Sequence, residues 1–195
     1  MTLYNLPTGK GGTTISYLKR SVTTAMLIAF CVVFPMAFHA IPRAGSILMP
    51  MHIPVLLAGM ICGPLFGLVA GVTGPLLSSL ITGMPPTGIV PIMMIELGVY
   101  GLVAGIMINI VHTRRMSVDL YISLITAMLA GRIVAGIAQA VYFFDGRYAI
   151  MMWLTSYFST SLPGIIIQLL LIPSLVMALE RDRVIPLRYA VNAGA

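Results

Sequence analysis

The chain has 195 residues, of which 59% are hydrophobic and 8% are charged, against roughly 25% charged residues in a typical soluble domain. This composition excludes a soluble domain and predicts a single polytopic membrane domain, because a bundle of this length leaves no room for a separate soluble core. The net charge of +6 does not indicate nucleic-acid binding, since the basic residues cluster near the ends of apolar segments and form no single patch.

Long segments without charged residues locate the predicted transmembrane helices. No Asp, Glu, Lys or Arg occurs between Ala44 and Ile95, and this run exceeds the roughly 20 residues needed to cross a bilayer. Cys62-Gly63-Pro64 interrupts the run, because Pro64 cannot donate a backbone hydrogen bond. Six helices are predicted, at residues 17–40, 52–62, 65–81, 89–111, 117–143 and 151–180.

The basic residues set the predicted topology, because Lys and Arg are enriched in cytoplasmic segments. Six passes with both termini in the cytoplasm leave only Arg43 and Arg147 on the outer side and Arg132 inside the membrane. Residues 1–16 are then a flexible polar tail, and residues 183–195 are a cytoplasmic tail.

Small residues recur every four positions, a spacing that lets helices pack closely in lipid. Glycines occur at positions 59, 63, 67 and 71. Ala25 and Ala29 repeat the spacing on the first predicted helix. There the pattern leaves two interpretations open, namely packing within the chain and contact with a partner protein.

Glu96 and Arg132 are the two ionisable residues that fall well within hydrophobic spans. On insertion scales each costs roughly 2.5–3.5 kcal/mol at the bilayer centre, so each needs a partner or a function. The predicted topology puts both in the outer half of the membrane. Tyr100 lies one turn from Glu96, and Gln139 lies two turns from Arg132. An ion pair that joins two helices and a ligand site both explain this arrangement.

Further polar and turn-forming residues are predicted near the same outer surface. His52 begins the second predicted helix, and Ser159 belongs to a run of hydroxyl-bearing residues near the start of the sixth. The uncharged loop between the third and fourth predicted helices is rich in Gly and Pro, which favour turns. We expect the loop to lie over a pocket as a gate, with the residues Gly83, Met84, Pro85 and Pro86.

No enzyme motif is present. Gly9-Lys10 resembles part of a phosphate-binding loop, but Tyr4 stands where the first Gly is required and Gly11 where Ser or Thr is required. The five acidic residues are scattered over the chain, so neither catalytic residues nor a metal site is predicted.

The order of these features resembles the substrate-binding S components of energy-coupling-factor (ECF) vitamin transporters, which are small six-helix membrane proteins of prokaryotes. The resemblance extends from about Tyr17 to Asp182, and within the family the chain looks most like the pantothenate-type members. The segments that carry the resemblance are Leu48 to Pro54, Gly63-Pro64, Pro75 to Leu80, Gly83 to Pro86, Glu96 to Gly101, Gly131-Arg132 and Leu162 to Gly164.

The resemblance implies capture of a vitamin at the outer face of a multi-pass protein of the prokaryotic cell membrane. A separate module of one transmembrane scaffold and two ATPases would hydrolyse ATP, so this chain needs no cofactor. In the family a small-residue patch on helix 1 contacts the scaffold, and Ala25 and Ala29 match that patch.

Pantothenate also suits the candidate residues chemically, because it is aliphatic and carries one carboxylate and two hydroxyls. Arg132 or His52 would bind its carboxylate, and Glu96, Tyr100 and Gln139 its hydroxyls and amide, with Ser159 nearby. A different small vitamin, such as pyridoxine, is the alternative within the family. An intramembrane enzyme or a scaffold is the alternative outside it.

Overall fold

The computed structural model describes residues 16–37, 44–142, 153, 155–182 and 185. The predicted tails fall almost entirely outside these ranges, as do residues 38–40, 143, 151, 152 and 154 of the predicted helices. All regular elements among the described residues are helices, which confirms the prediction of an all-α protein.

The described helices run along the chain as α1 (Tyr17–Ala37), α2 (Ala44–Leu48), α3 (His52–Leu57), α4 (Pro64–Thr82), α5 (Val90–Ile110), α6 (Met116–Tyr142) and α7 (Leu162–Arg181). One π-helical segment, Ala58–Cys62, continues α3, and another, Thr155–Thr160, precedes α7. Helices α1, α4, α5, α6 and α7 are long and apolar enough to cross a membrane. The chain is therefore a polytopic membrane protein, as predicted.

The shorter apolar helix, His52–Cys62, consists of α3 and its π-helical continuation. At about 1.5 Å per residue it rises roughly 16 Å, about half of the ~30 Å hydrocarbon core. Gly63 ends it with φ 108° and ψ 171°, a conformation open almost only to glycine. Pro64 then begins α4, where a missing backbone N–H has no cost. The sixth crossing and the cytoplasmic termini stay predictions.

The backbones of α4 and α5 contact each other directly, and glycine residues make this contact possible. A Cβ atom at Gly67 would collide with the carbonyl of Gly101, and one at Gly71 would collide with the carbonyl of Leu97. The close packing predicted from the glycine spacing is therefore confirmed. Its effect on the site is to hold α5, which carries Glu96 and Tyr100, at a fixed depth.

The two ends of the bundle differ in charge. At the basic end lie the starts of α1 and α6 and the end of α7, with Lys19, Arg20, Arg114, Arg115 and Arg181. Asp119, fully buried there, accepts hydrogen bonds from the backbone N–H (2.8 Å) and the hydroxyl (2.6 Å) of Thr113, which fixes the α5–α6 connection. The opposite end carries α2, the loop from Gly83 to Ile89 and the Thr155–Thr160 segment, and we call it the cavity end.

Candidate functional site

A cavity of about 410 Å³ opens at the cavity end of the bundle. Pockets for small molecules typically enclose roughly 300–1,000 Å³, so its size suits a small metabolite. Its lining residues come from α1, α2, α3, α5, the connecting loops, the Thr155–Thr160 segment and the residue that precedes α7. They are Pro35, Gly45, Met49, Pro50, Met51, His52, Met84, Pro85, Pro86, Ile89, Met93, Glu96, Tyr157 and Ser161.

His52 and Glu96 form the polar part of the cavity wall. Their relative exposures are 4% and 5%, and His52 Nε2 lies 3.6 Å from Glu96 Oε1. This distance allows an ion pair when the imidazole is protonated, but it is too long for a good hydrogen bond. Neither ring nitrogen of His52 has a hydrogen-bond partner. Buried polar groups are normally hydrogen-bonded. The ring nitrogens of His52 are therefore available to form hydrogen bonds with polar groups of a ligand.

The turn before α3 fixes the position of His52. The backbone N–H of His52 donates to the carbonyl of Met49 (3.1 Å), and Met49 has a positive φ of 48°. Every residue of α3 is buried, so the start of this helix cannot tilt toward lipid. The His52 ring also packs against Tyr100, with centroids 5.2 Å apart and ring planes at 61°. His52 is thereby held against α5 at the depth of Glu96.

Arg132 lies one layer behind the cavity wall. Its Nε donates to the hydroxyl of Tyr100 (3.0 Å), and its Nη2 donates to Ser161 Oγ (3.3 Å) and lies 3.9 Å from Met49 Sδ. The guanidinium also lies 5.4 Å from the centroid of the Phe158 ring. Arg132 has 2% exposure and is not a lining residue, whereas its partners Ser161 and Met49 are.

The structure does not join Glu96 and Arg132 directly. Among the described residues the ion pair of Glu96 is with His52, and none joins Glu96 to Arg132. Tyr100 separates the two charges, and it fits there because residue 131 is glycine: a Cβ at Gly131 would collide with the Tyr100 ring. The buried cation therefore has only uncharged partners in the described part of the chain.

The loop between α4 and α5 covers one side of the cavity. Met84, Pro85 and Pro86 line it, and Gly83 does not. The loop is bound to α4, since Ser78 Oγ donates to the Met84 carbonyl (2.7 Å) and Ser79 Oγ donates to the Pro85 carbonyl (2.8 Å).

Three other predicted site residues do not line this cavity, and one of them, Tyr100, is fully buried. Ser159 is exposed, and Gln139 is half-buried on α6 nearly two turns beyond Arg132. Tyr157 and Ser161 line the cavity instead, on the opposite side of the Thr155–Thr160 segment from Ser159. The serine hydroxyl donates to the Tyr157 carbonyl (2.5 Å), and the phenol donates to Glu96 Oε2 (3.5 Å). The four-residue spacing of Trp153, Tyr157 and Ser161 was the available signal for this face.

Sequence reasoning also missed the methionines of the apolar wall. Met49, Met51 and Met93 line the cavity together with Met84 of the loop. Thioether side chains are flexible and polarisable, so they adapt to an irregular ligand surface. Among the lining residues that the structure describes, only Tyr157 and the His52 imidazole offer aromatic faces. The cavity thus combines an adaptable aliphatic wall with a compact polar one.

Ala25 and Ala29 lie far from this chemistry, on an exposed face of α1. Of the five helices of spanning length, α1 has the lowest buried share, 11% of its most apolar window. The described residues contain no group of three or more His, Cys, Asp or Glu side chains that could hold a metal ion.

Comparison with known proteins agrees with this geometry. The family model of the substrate-specific component of ECF transporters matches residues 19–176, which include all the long helices apart from their outermost turns. No curated protein sequence and no solved structure gives a match. The matched family consists of substrate-binding components of transporters and is not an enzyme family. The chain therefore belongs to the family of substrate-specific components of ECF transporters.

Proposed function

We propose that this S component captures pantothenate in the cavity and delivers it to an ATP-driven importer in a prokaryotic cell membrane. One observation carries the proposal. His52 and Glu96 form a buried polar wall whose hydrogen bonding is incomplete, and the same cavity has an aliphatic wall beneath the loop. Family membership supports a small-molecule substrate and an energising partner. The identity of the vitamin rests on the chemistry of the cavity.

Charge supports an anionic ligand. A buried charge is costly unless it is paired, and the guanidinium of Arg132 meets only hydroxyls, a thioether and an aromatic ring among the described residues. A ligand carboxylate near Ser161 would lie within the field of this cation. This interaction stabilises an anion more strongly than a neutral analogue.

The polar wall supports a ligand with hydroxyl and amide groups. The carboxylate of Glu96 can accept hydrogen bonds from hydroxyls, and the neutral imidazole of His52 can donate one and accept one. Tyr157 supplies a further phenol at the rim of this wall. Pantothenate has two hydroxyls and an amide, so it can satisfy these groups when they lose contact with water.

The apolar wall supports an aliphatic ligand over a flat aromatic one. Flat ring systems usually stack on aromatic side chains, and few of the described residues that line this cavity are aromatic. Methionine and proline side chains instead surround the space beneath the loop. The branched carbon skeleton of pantothenate suits such a surface.

Delivery requires a partner, which we propose to be a transmembrane scaffold with two ATPases. The chain has no phosphate-binding motif that would let it use ATP itself. The exposed small residues Ala25 and Ala29 on α1 provide a surface on which another helix can pack closely. The positive-inside rule places the basic end in the cytoplasm, so the cavity would open to the outside.

Calorimetric titration of the purified chain tests the proposal. Pantothenate should bind with one-to-one stoichiometry in the absence of ATP, and pantothenol, its uncharged alcohol analogue, should bind at least tenfold more weakly. Pyridoxine serves as the aromatic control and should not compete. Tight binding of pyridoxine without binding of pantothenate would reject the proposed vitamin and leave the family assignment standing.

A further inference from the structure

The loop that covers the cavity has an unusual attachment to the rest of the protein. Met84, Pro85 and Pro86 form part of the cavity wall, but Pro85 and Pro86 have no backbone N–H with which to bind neighbouring elements. The carbonyls of Met84 and Pro85 instead accept hydrogen bonds from the hydroxyls of Ser78 and Ser79, consecutive residues near the end of α4. The Met84 carbonyl also lies 3.3 Å from Thr82 Oγ1.

The two hydrogen bonds are short, and each joins a serine hydroxyl of α4 to a backbone carbonyl of the loop. Ser78 Oγ lies 2.7 Å from the Met84 carbonyl oxygen, and Ser79 Oγ lies 2.8 Å from that of Pro85. Both serines are buried, with exposures of 0% and 9%, so water competes little for their hydroxyls. Neither serine lines the cavity. Their hydroxyls thus act on the loop and have no contact with a ligand in the cavity.

The turn into the loop is also held from α4. Gly83 ends the helix with a positive φ of 72°, and its N–H donates to the Ser79 carbonyl (2.9 Å). The N–H of Met84 donates to Thr82 Oγ1 (3.2 Å). The chain therefore reverses direction within two residues of the helix end and lies back over Ser78 and Ser79. After Pro86 the backbone again forms a local hydrogen bond, in which the N–H of Ile89 donates to the Pro86 carbonyl (2.9 Å).

We propose that Ser78 and Ser79 form a latch that keeps the loop closed over the cavity and thereby sets how fast the substrate enters and leaves. They are positioning residues that act through Met84 and Pro85. The assignment of a substrate to the cavity rests on the proposed function, but closure of the loop over the cavity does not. Loss of one neutral hydrogen bond shifts an equilibrium by about two- to tenfold, so loss of both should raise the open population by about five- to 100-fold.

A labelling experiment without ligand tests the latch directly. In Met93→Cys, the introduced thiol lines the cavity beneath the loop, and the wild-type chain, whose Cys31 and Cys62 are buried, gives the background. The reaction with a charged maleimide should accelerate about two- to tenfold when Ser78→Ala or Ser79→Ala is added, and further when both are added. Ser174→Ala is the matched control, because its hydroxyl bonds only the Leu170 carbonyl of its own helix (2.6 Å).

The same serine variants without Met93→Cys should release bound pantothenate faster by similar factors, and its association should accelerate in parallel. Parallel acceleration of entry and exit is the signature of a gate, whereas damage to the site would slow association. If the double variant does not fold, the single variants suffice. Labelling rates equal to that of the Ser174→Ala control would overturn the latch. Failure of pantothenate to bind would reject the vitamin and leave the labelling result valid.

Discussion

His52 Nε2 and Glu96 Oε1 lie 3.6 Å apart on the wall of the cavity, and both side chains are at least nine-tenths buried. The sequence separates them by 44 positions, and the structure joins them through the contact between α3 and α5. Neither nitrogen of the imidazole has a hydrogen-bond partner. A buried pair in this condition costs stability unless a ligand completes its hydrogen bonds, which is why we interpret it as part of a binding site.

Glu96→Gln tests whether the carboxylate binds the ligand. The substitution keeps the size and one acceptor oxygen but removes the charge, and hydrogen bonds to charged groups contribute about 1.5–3 kcal/mol. We expect the affinity for pantothenate to fall about 10- to 100-fold by calorimetry. The control is Asp119→Asn, which changes a buried acid at the basic end and should leave the affinity within threefold. Equal affinity of Glu96→Gln and wild type would remove Glu96 from the site.

Arg132→Ala tests whether the buried cation attracts the carboxylate of the ligand. We expect the loss of affinity for pantothenate to exceed the loss for pantothenol at least tenfold, which corresponds to about 1.4 kcal/mol. Arg132→Lys keeps the charge and should retain most of the preference for pantothenate over pantothenol. Arg132→Ala also removes the hydrogen bonds of Arg132 to Tyr100 and Ser161, so equal losses of affinity for the two ligands would identify Arg132 as a structural residue.

Gly67→Ala tests the close packing of α4 on α5. The added methyl group would meet the backbone of Gly101 and Gly59, which cannot move as easily as a side chain. Overpacking of this kind costs about 1–3 kcal/mol, so we expect a clearly lower thermal unfolding midpoint in detergent. At Gly88 nothing lies within 4 Å of the added group, and Gly88→Ala should unfold like the wild type. Similar midpoints for the two variants would contradict the packing argument.

Ala25→Trp tests the proposed contact of α1 with the energising module. A large ring on this exposed face would prevent a partner helix from approaching closely. We expect co-purification with the scaffold and the ATPases to be lost while pantothenate still binds. Met26→Trp is the matched control, since Met26 is exposed and already bulky. Undiminished association of the Ala25→Trp variant would place the partner contact elsewhere.

The all-helical membrane fold could be predicted because hydrocarbon imposes long charge-free segments on any helix that crosses it. The helix break at Gly63-Pro64 could be predicted as well, because it depends on the backbone chemistry of two residues. The π-helical continuation of α3 could not be predicted, since Ala58–Cys62 contains no residue that requires that geometry. This segment packs against α4 and α5, contacts that only the folded bundle defines.

The site could be predicted in part, for a related reason. Glu96 and Arg132 stand out because charges are rare in membrane helices, whereas Met49 and Met93 resemble any other apolar residue. Ser159 and Ser161 belong to one run of hydroxyl side chains, but the cavity wall contains Ser161 and not Ser159. The direction of each side chain there depends on the Thr155–Thr160 segment, whose π-helical form the sequence does not reveal.

Protection of the Met93→Cys thiol by substrate is the most direct test of the central claim, that pantothenate binds in the cavity beneath the loop. At a saturating concentration, pantothenate should slow labelling by a charged maleimide at least tenfold, and pyridoxine should not. His112→Cys, exposed at the basic end, should label at the same rate with and without pantothenate. Unprotected labelling of Met93→Cys with pantothenate bound would contradict the account, because the vitamin would then bind elsewhere.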